Sequence, residues 1–246
     1  CVTMKNSAYG DTQDLETKDR KKIAAIIKRL TDCCTMMKRP PIDSLIKTFD
    51  ISLRILSGVG KPKRARLTPP LEGSLLSDSE KTLSARLMRV NHCGEICAQA
   101  LYLGQGLTSK DRIIQQKMQR AAQEERDHLL WCESRLNELN ASKSVLNPVF
   151  YLVSFLSGAV MGSLSSRLNL GFVAATEEQV IIHLDEHLKE LPFADTDSKA
   201  ILEQMKHDEN EHKTEALANG GIPFPKTIKA IMTAASNIMT KTTYWM

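Results

Sequence analysis

The chain has 246 residues, of which 42% are hydrophobic and 25% charged, a balance that is ordinary for a soluble globular protein. Its formal net charge of +4 is too small to indicate nucleic-acid binding, and we expect no nucleic-acid partner. The six cysteines follow neither a zinc-binding nor a disulfide-scaffold spacing, so we interpret them as packing residues in a reducing compartment. Because helix-forming residues dominate the middle of the chain, we predict an all-α fold.

Residues 1–40 are polar and poorly patterned, apart from a stretch over residues 21–30 that is compatible with a short helix. We therefore predict that residues 1–40 are a poorly structured leader or extension. Met36 and Met37 stand just before a Lys-Arg-Pro-Pro sequence, and our hypothesis is that one of them is the biological start. No apolar signal-peptide segment is visible.

Residues 41–76 are predicted to combine an amphipathic helix with a linker. Apolar residues recur at helical spacing over residues 42–56, and Asp43 can cap the start of that helix. Glycine, proline and basic residues fill 58–76, including a basic run over 61–66. The run contains no aromatic residue, so we interpret it as a solvated linker, with contact to anionic lipid headgroups as the alternative.

Residues 77–246 are predicted to form one helical domain, because no segment shows strand-like alternation. Asp, Ser and Thr caps mark the predicted helix starts, and Gly or Pro marks several of the ends. The chain as a whole is expected to form six or seven helices, with a turn over residues 140–148 and a break over 167–171. The predicted long helices of this domain cover residues 78–106, 108–139, 172–191, 196–218 and 226–241.

The least polar stretch of the chain covers residues 148–166 and contains no charged residue. A membrane-spanning helix needs about 20 predominantly apolar residues, and this stretch is slightly short and rich in Ser and Gly. We favour a helix buried in a bundle, or one that also enters the bilayer interface, over a full span.

Two Glu-x-x-His sequences, Glu125 to His128 and Glu209 to His212, are the strongest chemical signal. Residues three apart on a helix point in nearly the same direction, so a Glu and a His at this spacing can hold one metal ion. A single Glu-x-x-His sequence is weak evidence, because it is often no more than a solvated helix face. The presence of two such sequences makes a metal site much more specific.

Each pair is preceded by a lone glutamate on an earlier predicted helix. Glu95 lies 30 residues before Glu125, and Glu177 lies 32 residues before Glu209. Ferritin-like di-iron proteins draw one Glu from each of two helices and a Glu-x-x-His pair from each of two others. Carboxylates neutralise and bridge two irons, and imidazoles suit iron. The repeat therefore predicts a di-iron carboxylate site.

Several acidic residues next to the predicted ligands are expected to have other roles. Glu124, Glu178 and Glu211 are interpreted as solvated, with Glu178 as a substitute for Glu177 if the helix phase differs. Asp127 and Asp208 are candidates to accept a hydrogen bond from a ligand histidine of the other pair.

The remaining histidines are less specific. His92 and His183 lie near enough in sequence to support the metal ligands, although a lone histidine is more often a packed or surface residue. His187 and His207 are interpreted as surface residues.

Five segments together resemble the demethoxyubiquinone hydroxylases, which are ferritin-like di-iron monooxygenases of ubiquinone biosynthesis. The first segment, from Leu87 to Tyr102, contains Asn-His-Cys-Gly-Glu95, and the likeness extends in order over roughly residues 42–246. The matching segments cover residues 87–102, 124–129, 170–180, 208–212 and 238–245.

The resemblance implies a ferritin-like four-helix bundle with extra apolar or amphipathic helices, and two iron ions as cofactors. Glu125 and Glu209 would bridge the irons, the other two glutamates would be terminal ligands, and each iron would take one histidine. The implied ligands are Glu95, Glu125, His128, Glu177, Glu209 and His212.

The resemblance also implies a reaction and a location. The substrate would be 2-polyprenyl-3-methyl-6-methoxy-1,4-benzoquinol, hydroxylated with O2 on its unsubstituted ring carbon. The protein would attach peripherally to the lipid of the bacterial inner membrane on its cytoplasmic side. A homo-oligomer, a complex of ubiquinone-biosynthesis proteins, and either NADH or the quinone pool as electron source stay open.

Two other functions use similar elements. An iron-storage cage would share the bundle, but the uncharged stretch and the apolar last helix argue against its soluble exterior. A membrane-surface scaffold with a vestigial site is disfavoured, because all six ligand positions are present.

Overall fold

In the computed structural model, the described residues (42–58, 60–66 and 76–246) form seven α-helices and no β-strand. This confirms the predicted all-α class. The predicted leader and residues 67–75 of the linker lie outside the described part of the chain. The helices are α1 (Ile42–Ser57), α2 (Asp78–Thr108), α3 (Arg112–Glu138), α4 (Asn147–Ser163), α5 (Ser166–Glu190), α6 (Thr196–Ala218) and α7 (Lys226–Trp245).

Side-chain caps explain where the long helices begin. Ser77 precedes α2 and forms a reciprocal capping box with Glu80. Asp111 precedes α3, and its carboxylate accepts hydrogen bonds from two backbone amides of the first turn. Asp195 caps α6 by accepting one hydrogen bond, from the backbone amide of Ser198. These short polar residues satisfy amides that have no partner inside the helix.

The predicted break over residues 167–171 is wrong, because α5 already begins at Ser166. The chain turns instead at Leu164, and the Ser165 hydroxyl caps the new helix. Gly171, which resembles a helix stop in sequence, lies inside α5, where a Cβ atom would overlap the backbone carbonyl of Ile222. The glycine is there for close packing rather than for a turn.

Helices α2, α3, α5 and α6 form a four-helix bundle in which α3 and α5 run opposite to α2 and α6. Gln105, near the end of α2, donates a hydrogen bond to Asn169, near the start of α5, at 2.5 Å. Arg135, near the end of α3, contacts Asp195 before α6 at 2.8 Å. We call the end where α2 and α6 begin the lower end, and the opposite end the upper end. One long crossover is typical of ferritin-like bundles, and here α4 fills it.

Helix α4 packs against α2 through small residues. A Cβ atom on Gly158 or Gly162 would overlap the backbone of Leu101 or Gln105, so the two helices approach closely. This confirms the bundle-helix interpretation for one face of α4. The opposite face is exposed to solvent through large aliphatic residues. These are Val149, Leu152, Val153, Leu156 and Val160.

Helix α1 lies beside α4. Ile55 packs against Tyr151 of α4 and Leu129 of α3, and the Tyr151 hydroxyl donates a hydrogen bond to Ser52 at 2.5 Å. The rest of the apolar face of α1 is exposed, and together with the exposed face of α4 we call it the α1–α4 apolar face. Its α1 members are Ile42, Leu45, Ile46, Phe49 and Leu53.

Within the part of the chain that the structure describes, no helix combines the length and the hydropathy that crossing a membrane requires.

The two ends of the bundle have different cores. The lower end is filled by large buried side chains such as Met88, Trp131, Leu136, Leu202 and Met205. The upper end combines large side chains such as Tyr102 and Met118 with the alanines Ala98, Ala174 and Ala216. A cavity is also found at the upper end, as described below.

Candidate metal centre

The structure brings all six sequence-predicted site residues together at the middle of the bundle. Their carboxylate oxygens and ring nitrogens form two overlapping groups, in each of which the atoms lie within 4.8 Å of one another. Glu125 and Glu209 belong to both groups, as bridging ligands would. The first group is completed by Glu95 and His128, and the second by Glu177 and His212.

The cluster is buried. Glu125 and His128 are 0% exposed, and Glu95, Glu177 and Glu209 are at most 3% exposed. Charged groups of this kind are rarely buried unless they are paired or bound to a metal. The solvated-face interpretation of the Glu-x-x-His sequences is therefore excluded. Their role as metal ligands stays a prediction.

Both histidines turn Nδ1 toward the shared carboxylates. Nδ1 of His128 lies 3.2 Å from Glu125 Oε2 and 3.1 Å from Glu209 Oε1. Nδ1 of His212 lies 3.1 Å from an oxygen of each of the same two glutamates. In both histidines Nδ1 is therefore the atom that faces the shared carboxylates, and Nε2 points outward.

Each outward Nε2 meets a carboxylate from the opposite Glu-x-x-His helix. Nε2 of His128 lies 2.9 Å from Asp208, and Nε2 of His212 lies 2.8 Å from Glu124. The prediction for Asp208 is confirmed, whereas the solvated interpretation of Glu124 is wrong. The signal was present in the sequence, because an acidic residue directly precedes the glutamate of both pairs.

The close carboxylates require compensating positive charge. Burial, and next the charge of Glu125, raises the pKa of Glu95 well above its ordinary value. Burial, and next Glu209, does the same to the pKa of Glu177. Burial lowers the pKa of His212, but hydrogen bonds to the shared glutamates outweigh it and raise the pKa to about 12. These shifts show that the cluster favours bound positive charge, whether from protons or from a cation.

The chemistry of these groups fits a metal pair. Among the described residues, Glu95 Oε2 and Glu177 Oε2 are buried and have no hydrogen-bond partner. Buried polar atoms without partners are costly, and a coordinated cation would satisfy them. Four carboxylates and two imidazoles form a donor set suited to iron and related divalent metals. The cluster could therefore hold a metal.

Tyr102 is a site residue that the sequence analysis did not assign. Its buried hydroxyl donates a hydrogen bond to Glu177 Oε1. Burial, and next the charge of Glu177, raises its pKa well above the ordinary value, so it stays a protonated donor. Tyr102 lies seven residues after Glu95, which is about two helical turns, and this spacing could have indicated that both face the cluster.

A cavity of about 320 Å³ opens beside the centre at the upper end. It reaches Tyr102 and His212, and its walls combine apolar side chains with the charged residues of its rim. The apolar lining includes Met118, Ala121, Leu170, Val173 and Ala216.

The basic linker reaches the opposite side of the centre. Arg64 Nη2 lies 2.8 Å from Asp208 Oδ2 and 3.3 Å from His128 Nε2. Arg66, whose side chain is 10% exposed, forms an ion pair with Glu138 at 2.5 Å. The solvated-linker interpretation is therefore wrong for Arg66. The Arg64 side chain is 43% exposed, but it also forms ion pairs with residues remote in sequence, which cannot be read from a local run of charge.

Two other assignments, those of Asp127 and His187, are corrected, and two open alternatives, those of Glu178 and His183, are decided. Asp127 does not contact a ligand histidine but accepts hydrogen bonds from two linker backbone amides. Glu178 forms an ion pair with Lys229 of α7, so it does not replace Glu177. His187, expected at the surface, is buried and hydrogen-bonded to Asn91 at 2.9 Å. His183 bonds Ser236 of α7 at 2.9 Å.

His92 is buried, but both of its ring nitrogens lack a hydrogen-bond partner in the described ranges. The three cysteines among the described residues, Cys93, Cys97 and Cys132, are free thiols. Glu211 is exposed, as predicted.

An up-down bundle with a helical crossover, and a buried centre of two repeated Glu and Glu-x-x-His sets, define a ferritin-like protein whose carboxylate–histidine cluster could hold a metal. The chain belongs to the family of the ubiquinone biosynthesis protein COQ7, whose family model matches residues 82–243. This confirms the resemblance to the demethoxyubiquinone hydroxylases.

Three similar proteins are each named 3-demethoxyubiquinol 3-hydroxylase. The protein of Stutzerimonas stutzeri is 50% identical over 205 residues, covering 83% of this chain and 95% of its own. The protein of Marinomonas sp. is 50% identical over 208 residues, covering 82% and 97%. The protein of Nitrosospira multiformis is 49% identical over 207 residues, covering 84% and 100%.

Proposed function

We propose that this chain is a 3-demethoxyubiquinol 3-hydroxylase, which hydroxylates 2-polyprenyl-3-methyl-6-methoxy-1,4-benzoquinol with O2 in ubiquinone biosynthesis. The observation that carries the proposal is the buried cluster in which Glu125 and Glu209 are shared between two half-sites. Such a cluster in a member of this family supports oxygen activation rather than a structural role.

Two iron ions are the proposed cofactors. Glu125 and Glu209 would bridge them, Glu95 and His128 would complete one half, and Glu177 with the second histidine would complete the other. When bound, the two irons together supply two electrons to O2, which a single ferrous ion cannot do.

The surrounding residues prepare these ligands. Asp208 accepts a hydrogen bond from Nε2–H of His128, and Glu124 accepts one from Nε2–H of His212. With the proton on Nε2, the Nδ1 lone pair of each histidine would be free for the metal. Tyr102 donates to Glu177 and holds that carboxylate in place. Burial excludes water from the shared glutamates, and so protects reactive oxygen chemistry from side reactions.

The upper cavity is the proposed position of the quinol ring. It is the space beside the centre that reaches both His212 and Tyr102, and its lining from Met118, Leu170 and Val173 suits an apolar ring. The rim carries Lys117 paired with Glu215, so it has polar groups at its opening.

The polyprenyl tail places the substrate in lipid, and the α1–α4 apolar face supports peripheral attachment there. The face gathers ten exposed large apolar residues on two helices, and exposed apolar clusters of this kind mark interaction surfaces. Exposed Lys47 and Arg54 on α1 would meet anionic headgroups. We place this attachment on the cytoplasmic side of the bacterial inner membrane. A homo-oligomer and a complex with other ubiquinone-biosynthesis proteins stay predictions.

We propose a matching division of the chain. Residues 77–246 would be the hydroxylase domain, and residues 41–76 would provide the lipid-facing helix and the linker.

Lipid attachment can be measured by cosedimentation with vesicles of phosphatidylethanolamine and phosphatidylglycerol. We expect Leu152→Ser with Leu156→Ser to reduce the bound fraction strongly. Leu217→Ser, which changes an exposed leucine on α6, should leave it unchanged. Equal binding by all variants would contradict the assignment of the α1–α4 apolar face.

Complementation tests the activity. The chain is expressed in a bacterium lacking its own 3-demethoxyubiquinol 3-hydroxylase, and the quinones are measured. We expect ubiquinone to return. A folded, iron-loaded protein that leaves the demethoxy precursor unconverted would overturn the proposal, and assembly into a soluble cage would favour iron storage instead.

A further inference from the structure

The segment of residues 60–66 is fixed across the lower end of the metal centre. The backbone amides of Lys63 and Arg64 donate to the Asp127 carboxylate at 2.7 and 3.2 Å. The indole Nε1 of Trp131 donates to the Arg64 carbonyl at 3.1 Å. These bonds attach the segment to α3, so the position of the Arg64 side chain is set by main-chain contacts. We call residues 60–66 the strap.

The Arg64 side chain then holds the carboxylate that supports His128. Its guanidinium lies 5.1 Å from the centre of the Trp131 ring and donates to Asp208 Oδ2 at 2.8 Å. Gln204 donates to the other oxygen of Asp208 at 2.8 Å. Both oxygens of this carboxylate are thus held, and the same Oδ2 atom lies 2.9 Å from His128 Nε2.

The equivalent carboxylate at the upper end is much less restrained. The side chain of Glu124 is 34% exposed, and its partner Arg120 is 78% exposed at 3.1 Å on the same helix. Exposed pairs of this kind contribute little, because water competes for both partners. Glu124 and Arg120 also line the cavity, where His212 can be reached by solvent.

We propose that Arg64 is a positioning residue that makes the two metal positions unequal. By holding Asp208 against His128, it makes the lower position bind metal more tightly than the upper position, so that the lower position fills first and the ion beside the cavity is the exchangeable one. The proposal rests on the proposed two-metal function. A supporting carboxylate typically changes metal affinity by about 10–100-fold, which sets the expected difference between the positions.

The test is a titration of the metal-free full-length chain with Co²⁺, followed by its visible absorption and by calorimetry. The wild-type protein should bind two ions in two resolved steps. Their dissociation constants should differ by about 10–100-fold. Two ions bound in a single unresolved step would overturn the proposal.

Single histidine variants identify which step belongs to which position. His212→Ala should keep the tighter step, and His128→Ala should keep the weaker one. The reverse assignment would overturn the proposal.

Substitution of Arg64 tests the cause. Arg64→Ala should still bind two ions, but its tighter step should weaken by about 10–100-fold and merge with the other. Arg64→Lys keeps the charge but loses the planar guanidinium, so the dissociation constant of its tighter step should lie between those of the wild type and Arg64→Ala. Lys63→Ala removes an equal charge from the strap and keeps the backbone amide, so it should match the wild type.

The outcomes separate this inference from the activity itself. Loss of affinity at both positions in Arg64→Ala would indicate general loosening of the bundle and would contradict the positioning role. Two-step Co²⁺ binding without quinol hydroxylation would overturn the proposed function and leave the inequality of the positions standing. Hydroxylation together with one-step Co²⁺ binding would overturn the inequality of the positions and leave the proposed function standing.

Discussion

At the lower end of the bundle, His128 is fully buried and Asp208 is held by Arg64 and Gln204. At the upper end, His212 meets a partly exposed Glu124 beside an open cavity. The ligand sets of the two ends repeat each other in sequence, so the ligands do not explain the difference. It comes from the strap at the lower end and from the cavity that opens at the upper end. The same ligand motif can therefore stand in two different environments, one buried and closed and the other open to a cavity.

The largest effect is expected from a substitution that changes both half-sites at once. Glu209→Ala removes a carboxylate shared by the two half-sites, so we expect loss of one or both metal ions and of all measurable hydroxylation. Iron content per chain and quinol turnover measure the two effects. Glu211→Ala, an exposed site on the same helix, should behave like the wild type. Retention of two ions by Glu209→Ala would contradict the shared role.

Matched changes of the two supporting carboxylates would sharpen the comparison. Asp208→Asn should weaken one metal position by about 10–100-fold, because the buried histidine loses its charged partner. Glu124→Gln should have a smaller effect, since water can replace an exposed carboxylate. Metal titration of the two variants gives both values. Equal losses would show that the ends are equivalent after all.

Whether water is excluded from the lower end of the bundle can be tested through the buried His92. Burial, and next the charge of Lys143, lowers the pKa of His92 to about 3, so the folded chain keeps it neutral where the unfolded chain protonates it. The free energy of unfolding should therefore fall as the pH drops from about 6.5 toward about 3. At pH 5 this residue alone accounts for roughly 2 kcal/mol.

Urea denaturation of the metal-free protein at pH 7 and pH 5 measures that loss. In His92→Leu the decrease between the two pH values should be smaller by this amount, whatever the change in stability at pH 7. An identical decrease in the variant and the wild type would show that His92 is hydrated in the folded state.

The smallest expected effect concerns access at the upper end. Ala121→Phe places a ring in the cavity, so we expect the KM for the quinol to rise about tenfold while two metal ions remain bound. Ala218→Phe, an exposed position on α6, serves as the control. An unchanged KM would mean that the quinol reaches the centre by another route.

Much of the fold could be predicted from local sequence. Helix starts at Asp78 and Thr196 and the end at Ala218 agree with the predicted bounds, because caps and the 3.6-residue period act within a few residues. The break at residues 167–171 was mispredicted for the opposite reason. Gly171 satisfies a close contact with Ile222, which is remote in sequence.

The sequence by itself determined the helices and the repeated Glu and Glu-x-x-His set, because both depend on spacing along one helix. Only the tertiary structure decided that Arg64 reaches Asp208, 144 residues away, and that one face of α4 is exposed. It also decided that the two half-sites differ in burial and access. These features depend on which helices pack together and on the space left between them, and no local spacing encodes that.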